Sequence, residues 1–304
     1  MSTEKIDRNA ADMAQAADLA QAAGAALAAV RAEHPLVHCI TNYVTVNDCA
    51  NALLAAGASP VMADDIAEVA DIVGISGALV VNIGTLNART VRSMKAAARA
   101  AKRRGTPSVL DPVGAGASAL RTKTAAALAA KGGFAVIRGN ASEIGTLAGG
   151  YGKTRGVDST AVVSADGIAE GAVDNAISLA RQTGSVVAVT GKTDVITDGS
   201  AVYAVENGHA LMPRMTGSGC VLSAITGAFV AVARAAGIER ATAVTAAIAF
   251  VGLAGELAAG DAERLTRDGD ASTGTATFRT AFIDRLASLS PEALAKGAKI
   301  ERLA

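Results

Sequence analysis

Ala78-Leu79-Val80-Val81-Asn82-Ile83-Gly84 decides the fold. Its first four residues are apolar without a polar alternate, as in a strand covered on both faces, the habit of parallel sheets flanked by helices. The same kind of run recurs upstream at residues 35–41 (PLVHCIT) and 59–63 (SPVMA), and downstream at 108–113 (SVLDPV), 134–140 (FAVIRGN) and 186–191 (VVAVTG). Helical spacing fills the gaps at residues 47–57, through Glu68 and Asp71, at 88–104, 124–130 and 142–148, with a further helix before residue 186. Strand and helix thus alternate at least five times, which predicts an α/β fold in three layers, a mostly parallel sheet with helices on both faces. A glycine-rich stretch, 149–167, reads as a surface loop, and whether it closes as a lid is open. Asp198-Gly199, between two β-rich runs, signals a hairpin and an antiparallel edge. Beyond it the pattern is all helical, at 217–236, 238–259, 277–289 and 291–300.

With 304 residues and no linker-like break, residues 34–304 read as a single domain, preceded by an Ala-rich tail and helix over 1–33. Lys+Arg and Asp+Glu balance at 28 each, so no global basic field argues for nucleic acid or an anionic membrane. Three cysteines in no paired pattern fit a reducing cytoplasm. The acidic residues of the N-terminal segment do not suit a signal peptide. Residues 215–233 carry no charge, but their Ser, Thr and Gly content reads as a buried core helix rather than a membrane span.

In open parallel sheets ligands gather outside the carboxyl ends of the strands. The polar residues there are Thr41 and Asn42, Met62 with Asp64, Asn82 with Gly84, Asp111, Arg138 with Asn140, and Thr190 with Gly191. A second signal is Met215-Thr216-Gly217-Ser218-Gly219-Cys220-Val221, a glycine turn opening a helix. Its leading N–H groups and positive dipole end suit an anion, which glycine lets approach. Gly114-Ala115-Gly116-Ala117-Ser118-Ala119 matches a dinucleotide fingerprint in form only, because the next strand ends in Arg138-Gly139-Asn140 and not in an acid.

Each candidate has a plainer reading beside the chemical one. Asp111, with Asn140 and Glu143 ending the neighbouring strand, offers hard oxygen ligands for Mg²⁺; equally, Asp111 caps a turn and Glu143 starts a helix. Arg138, ending a buried strand, points to phosphate or to a buried partner. Asn42 is a turn residue or a ligand contact, and Met62 is core or pocket. Lys192 reads as a solvated loop charge, and His34, His38 and His209 have no metal spacing. Cys220 is a small buried hydrophobe or a thiol acidified by the helix terminus, with no histidine identifiable beside it.

The blocks PLVHCITNYVT, ANALLAAGASPVMA, GALVVNIGTLN, LDPVGAGAS, IRGNASEI, AVTGKTDVITDG and MTGSGC, in order from about residue 35 to 303, together resemble hydroxyethylthiazole kinase of the ribokinase-like fold. The resemblance implies Mg²⁺-dependent transfer of the ATP γ-phosphoryl group to the hydroxyl of 4-methyl-5-(2-hydroxyethyl)thiazole, in thiamine salvage. It implies that Asn42, Met62 and Gly217 meet the thiazole, that Arg138, Asn140 and Thr190 meet ATP, that Asp111 and Glu143 organise Mg²⁺, and that Gly217, Gly219 and Cys220 line the transfer path. Homotrimers with sites between subunits are implied as well. Sugar kinases of this fold usually carry Asp where Cys220 stands, and the thiazole kinases share the cysteine. Two other readings are an ATP-dependent lyase repairing a damaged nucleotide, for which Asp would be expected at Cys220, and a nucleotide sensor without turnover.

Overall fold

Parallel pairing joins β1 (Leu36–Ile40), β2 (Ser59–Val61), β3 (Ala78–Asn82), β4 (Ser108–Asp111), β5 (Val136–Asn140) and β6 (Val186–Thr190). Antiparallel pairing adds β7 (Asp194–Thr197), β8 (Val202–Val205) and β9 (Ile300–Arg302), giving one sheet in the order β2-β1-β3-β4-β5-β6-β7-β8-β9. The structure, a computed structural model, describes residues 3–149, 167–266 and 274–304. Nearly all of the glycine-rich 149–167 stretch, and with it the lid question, lies outside the described residues.

Alternate strand residues feed two cores, which is why the strands read as unbroken apolar runs. Val37, Cys39, Val80, Val109 and Val136 face one core, shared with α1 (Thr3–Glu33), α2 (Val46–Ala56), α8 (Ser218–Ala233), α9 (Arg240–Thr266) and α10 (Thr275–Ser288). Ile40, Leu79, Val81, Leu110 and Ile137 face the other, beneath α3 (Val69–Ile75), α4 (Ala88–Arg104), α5 (Ala119–Gly132), α6 (Ala141–Leu147) and α7 (Ala172–Thr183). The three layers expected from sequence are present. Small residues let α8 lie close on the sheet: a Cβ on Gly227 would stand 2.6 Å from Val80 Cγ2 and 3.1 Å from Val37 Cγ1.

Both long apolar helices are interior. α8 is buried along most of its length, and in α9, apolar enough to cross a membrane, 83% of the apolar window is buried. At the N-terminus, Ala23, Ala26, Leu27 and Val30 of α1 are buried in the same core as α9, so the Ala-rich helix joins the packing before residue 34.

The expected all-helical C-terminus is corrected at its end. α11 (Pro291–Gly297) stops at Ala298, and the chain then turns into β9, with Ile300 opposite Val205 and Arg302 opposite Tyr203. An unpaired β8 edge would leave backbone donors and acceptors exposed, and β9 satisfies them, with Ile300 buried and Glu301 and Arg302 exposed.

Candidate active site

The parallel register brings the strand ends together: Asn82 lies opposite Asp111 across β3 and β4, and Asn140 opposite Thr190 across β5 and β6. α8 begins over this edge. Gly217 caps it in the left-handed region (φ 86°), and the first intrahelical bond is Val221 N–H to Gly217 O at 2.9 Å. The amides of Gly219 and Cys220 therefore lie ahead of the helical ladder, at its positive end. Gly217 has no room for a side chain, since a Cβ there would stand 2.3 Å from Thr45 Cγ2, and a Cβ on Gly219 would stand 2.8 Å from Arg138 Nη1 and displace the guanidinium. Arg138, in the middle of β5, thus lays its guanidinium against the opening turn of α8, so a guanidinium and the positive end of a helix dipole meet at one place.

Beside that turn runs a polar relay. Thr45 N–H and Oγ1–H donate to Asn42 Oδ1 at 3.2 and 3.1 Å, and Asn42 Nδ2 donates to Asn82 Oδ1 at 3.1 Å. Asn82 Nδ2 donates to Asp111 Oδ2 at 2.7 Å, which also accepts from Ser223 Oγ at 2.8 Å. Cys220 Sγ accepts from both asparagines, Asn42 Nδ2 at 3.1 Å and Asn82 Nδ2 at 3.2 Å. Cys220 and Ser223, three residues apart, share one face of α8, so both reach the relay.

The charged side is less settled. Asp111 is fully buried, and its Oδ2 lies 3.8 Å from Arg138 Nη1, while Oδ1 and Arg138 Nε are buried without a partner. Arg138 Nη2 donates to Thr190 Oγ1 at 2.7 Å. Burial raises the Asp111 carboxyl above its ordinary range, against the pull of Arg138, Ser223 and Asn82. Glu143 is pushed up to about 7 by burial and then by the charge of Asp111. Its Oε2 accepts from Asn140 N–H at 2.9 Å and Asn140 Oδ1 from Glu143 N–H at 2.9 Å, a capping box that starts α6, while Oε1 accepts from Gly114 N–H at 2.7 Å. Asp194 is raised to about 7, mainly by burial.

Residues 27–292 match the hydroxyethylthiazole kinase family. The chain belongs to that family. It is 51% identical over 275 residues to the hydroxyethylthiazole kinase of Methanoculleus marisnigri, covering 90% of this chain and 91% of the relative. It is 49% identical over 284 residues to that of Desulfovibrio desulfuricans, covering 91% and 97%. The hydroxyethylthiazole kinase structure from Pyrococcus horikoshii superposes with a TM-score of 0.78 at 38% identity, covering 92% of this chain and 98% of that one. A Staphylococcus aureus pyridoxal kinase in complex with ADP, at 16% identity and TM-score 0.51 over 71% and 85% of the chains, shares the fold alone.

In this member of the thiazole kinase family, Asn42, Asp111, Arg138, Thr190, Gly217, Gly219 and Cys220 come together at one edge. Met62 follows the edge strand β2, half-buried and packed on the α8-side core. The thiol expectation reverses: burial and the Asp111 charge raise the Cys220 pKa, against its hydrogen bonds with Thr45, Asn42 and Asn82. Among the described residues no group of three or more His, Cys, Asp or Glu forms a metal cage. Lys192 is exposed, as a solvated loop charge should be. The sequence left several residues without a role. Ser223 was signalled only as a hydroxyl in an apolar helix. Arg121 donates to Ile83 O, Val113 O and Gly84 O at 3.2, 2.7 and 2.7 Å, tying two strand-end loops together. Nothing in its helical spacing pointed there.

Proposed function

We propose that this chain transfers the γ-phosphoryl group of ATP to the hydroxyl of 4-methyl-5-(2-hydroxyethyl)thiazole. Family membership supports the reaction, and one observation carries its placement: Arg138 packed against Gly219 at the open start of α8. Backbone donors and a guanidinium fixed in advance around one space suit a phosphoryl group whose charge spreads in a loose transition state. Arg138 and Thr190 hold the nucleotide phosphates, with Asn140 at the same strand ends. Asn42 and Gly217 border the thiazole, and Met62 meets its ring.

Asp111 and Glu143 suit Mg²⁺, a hard cation that takes one or two carboxylates and keeps its other positions for water and phosphate. The orphaned Asp111 Oδ1 and the mutual repulsion of two buried carboxylates are what a cation or its waters would relieve. Held there, Mg²⁺ would supply charge neutralisation for the phosphates during transfer. Gly217 and Gly219 keep the transfer path clear, and Cys220 sits at the alcohol. With its pKa raised, Cys220 rests as the neutral thiol and offers little thiolate to act as a base, and a loose transition state tolerates that because positioning outweighs proton abstraction.

Met62 lies at the sheet edge, and Tyr43, Val44 and Ile66 nearby in sequence are 78%, 57% and 51% exposed. Such exposed apolar side chains support a homotrimer whose neighbour covers the Asn42 and Met62 side. Residues 34–304 act as one catalytic unit, and its free thiols suit the cytoplasm.

A coupled ADP-release assay tests the reading with the thiazole alcohol, with pyridoxine-type alcohols and with no acceptor. Release with the thiazole alcohol well above the other two arms is expected. Equal release in all arms, or none in any, would reject it.

A further inference from the structure

We infer that Asn82 is a positioning residue that locks Cys220 and Asp111 to each other, joining the acceptor end of the site to its charged end. This rests on the kinase reading above. Asn82 is 1% exposed and ends β3 directly opposite Asp111. Its side chain makes four hydrogen bonds: Oδ1 accepts from Gly84 N–H at 2.9 Å and Asn42 Nδ2 at 3.1 Å, and Nδ2 donates to Asp111 Oδ2 at 2.7 Å and Cys220 Sγ at 3.2 Å.

The amide orientation is forced. Gly84 N–H can only donate, so the end that faces it is the oxygen, and the nitrogen then falls to Asp111 Oδ2. The same logic fixes Asn42, because Thr45 N–H donates to its Oδ1 at 3.2 Å and so turns its nitrogen toward the sulfur. Cys220 Sγ therefore meets two donors and no asparagine oxygen. Neither amide can take the thiol proton, and the sulfur is held as an acceptor at a fixed distance from the Asp111 carboxylate.

A stability role alone would also fill these bonds, so the test measures coupling. Steady-state kinetics, melting temperature and calorimetric binding of Mg²⁺ with ATP are compared for wild type, Asn82→Ala, Cys220→Ala and the double variant. Asn82→Ala should lower kcat about 10-fold or more, with KM for ATP and for the alcohol within about 3-fold. In the Cys220→Ala background the same change should cost less than about 3-fold, because the partner it positions is gone. Calorimetric affinity for Mg²⁺ and ATP should stay within about 3-fold of wild type.

Multiplicative losses in the double variant, an unchanged kcat, or a loss confined to KM or to nucleotide affinity would overturn the inference. If Asn82→Ala does not fold, Asn82→Ser replaces it in the same cycle; failure of both to fold would mark Asn82 as scaffold only and count against it. The cycle uses whichever alcohol the wild-type chain phosphorylates, so an inactive thiazole arm counts against the acceptor assignment alone.

Discussion

The two halves of the strand-end edge are finished differently. On the Cys220 half, Thr45, Asn42 and Asn82 hand hydrogen bonds from one to the next and end on Asp111 Oδ2, which also accepts from Ser223. On the Arg138 half, Asp111 Oδ1 and Arg138 Nε are buried and unpaired, and the ion pair is long at 3.8 Å. A paired network is rigid before any ligand arrives, whereas unpaired buried polar atoms cost free energy that an incoming group can recover. The contrast assigns preorganised geometry to one half and ligand affinity to the other.

The sharpest way to break this contrast is Gly219→Val, which drives a branched side chain into Arg138 and the phosphoryl path. kcat should fall about 10³-fold or more, and an unchanged kcat would remove the anion site from the mechanism. Next, Arg138→Ala should lower kcat/KM for ATP by roughly 10²-fold, with a smaller loss of melting temperature from the Thr190 hydrogen bond and the long Asp111 ion pair that it gives up. A large thermal loss without a kinetic one would make Arg138 structural.

On the paired half, Cys220→Ala should lower kcat roughly 10- to 100-fold, and Cys220→Asp should stay active. Complete inactivity of a folded Cys220→Ala that binds both ligands would call for essential base or nucleophile chemistry.

The smallest effect concerns pH. Asp194 moves from an ordinary 3.8 to about 7 on folding, and Glu143 from 4.5 to about 7. A carboxyl raised on folding gives its stability below the unfolded value and loses it as pH climbs through the folded one. Ligand-free protein should therefore lose melting temperature between about pH 4 and 7, and Asp194→Asn should flatten part of that slope. An unchanged slope in the variant would clear Asp194 of the effect.

The alternating architecture was legible because β1, β3, β4, β5 and β6 are buried on both faces and advertise it as unbroken apolar runs. Arg138 and the Gly217–Cys220 turn were legible for local reasons, a charge ending a buried strand and glycines opening an apolar helix. β9 was not: three residues with one buried side chain carry no period, and their pairing depends on a β8 edge almost a hundred residues earlier. The sequence left Cys220 between a buried hydrophobe and an acidified thiol because helix-terminus acidification is a local signal, while the burial and Asp111 charge that outweigh it are tertiary. Glu143 shows its helix-start reading in the local capping box with Asn140, while its contact with Gly114 crosses from another loop and had no local signal.

Gly227 has a consequence far from where it sits. Two turns past Cys220, it lets α8 settle between Val80 and Val37, and so sets how high the transfer turn rides above the strand ends about 10 Å away. A methyl group there would jack the helix off the sheet and misalign the chemistry without touching a ligand. A mutational screen scored on turnover alone would flag that glycine as catalytic, though it acts only as the shim beneath the machine.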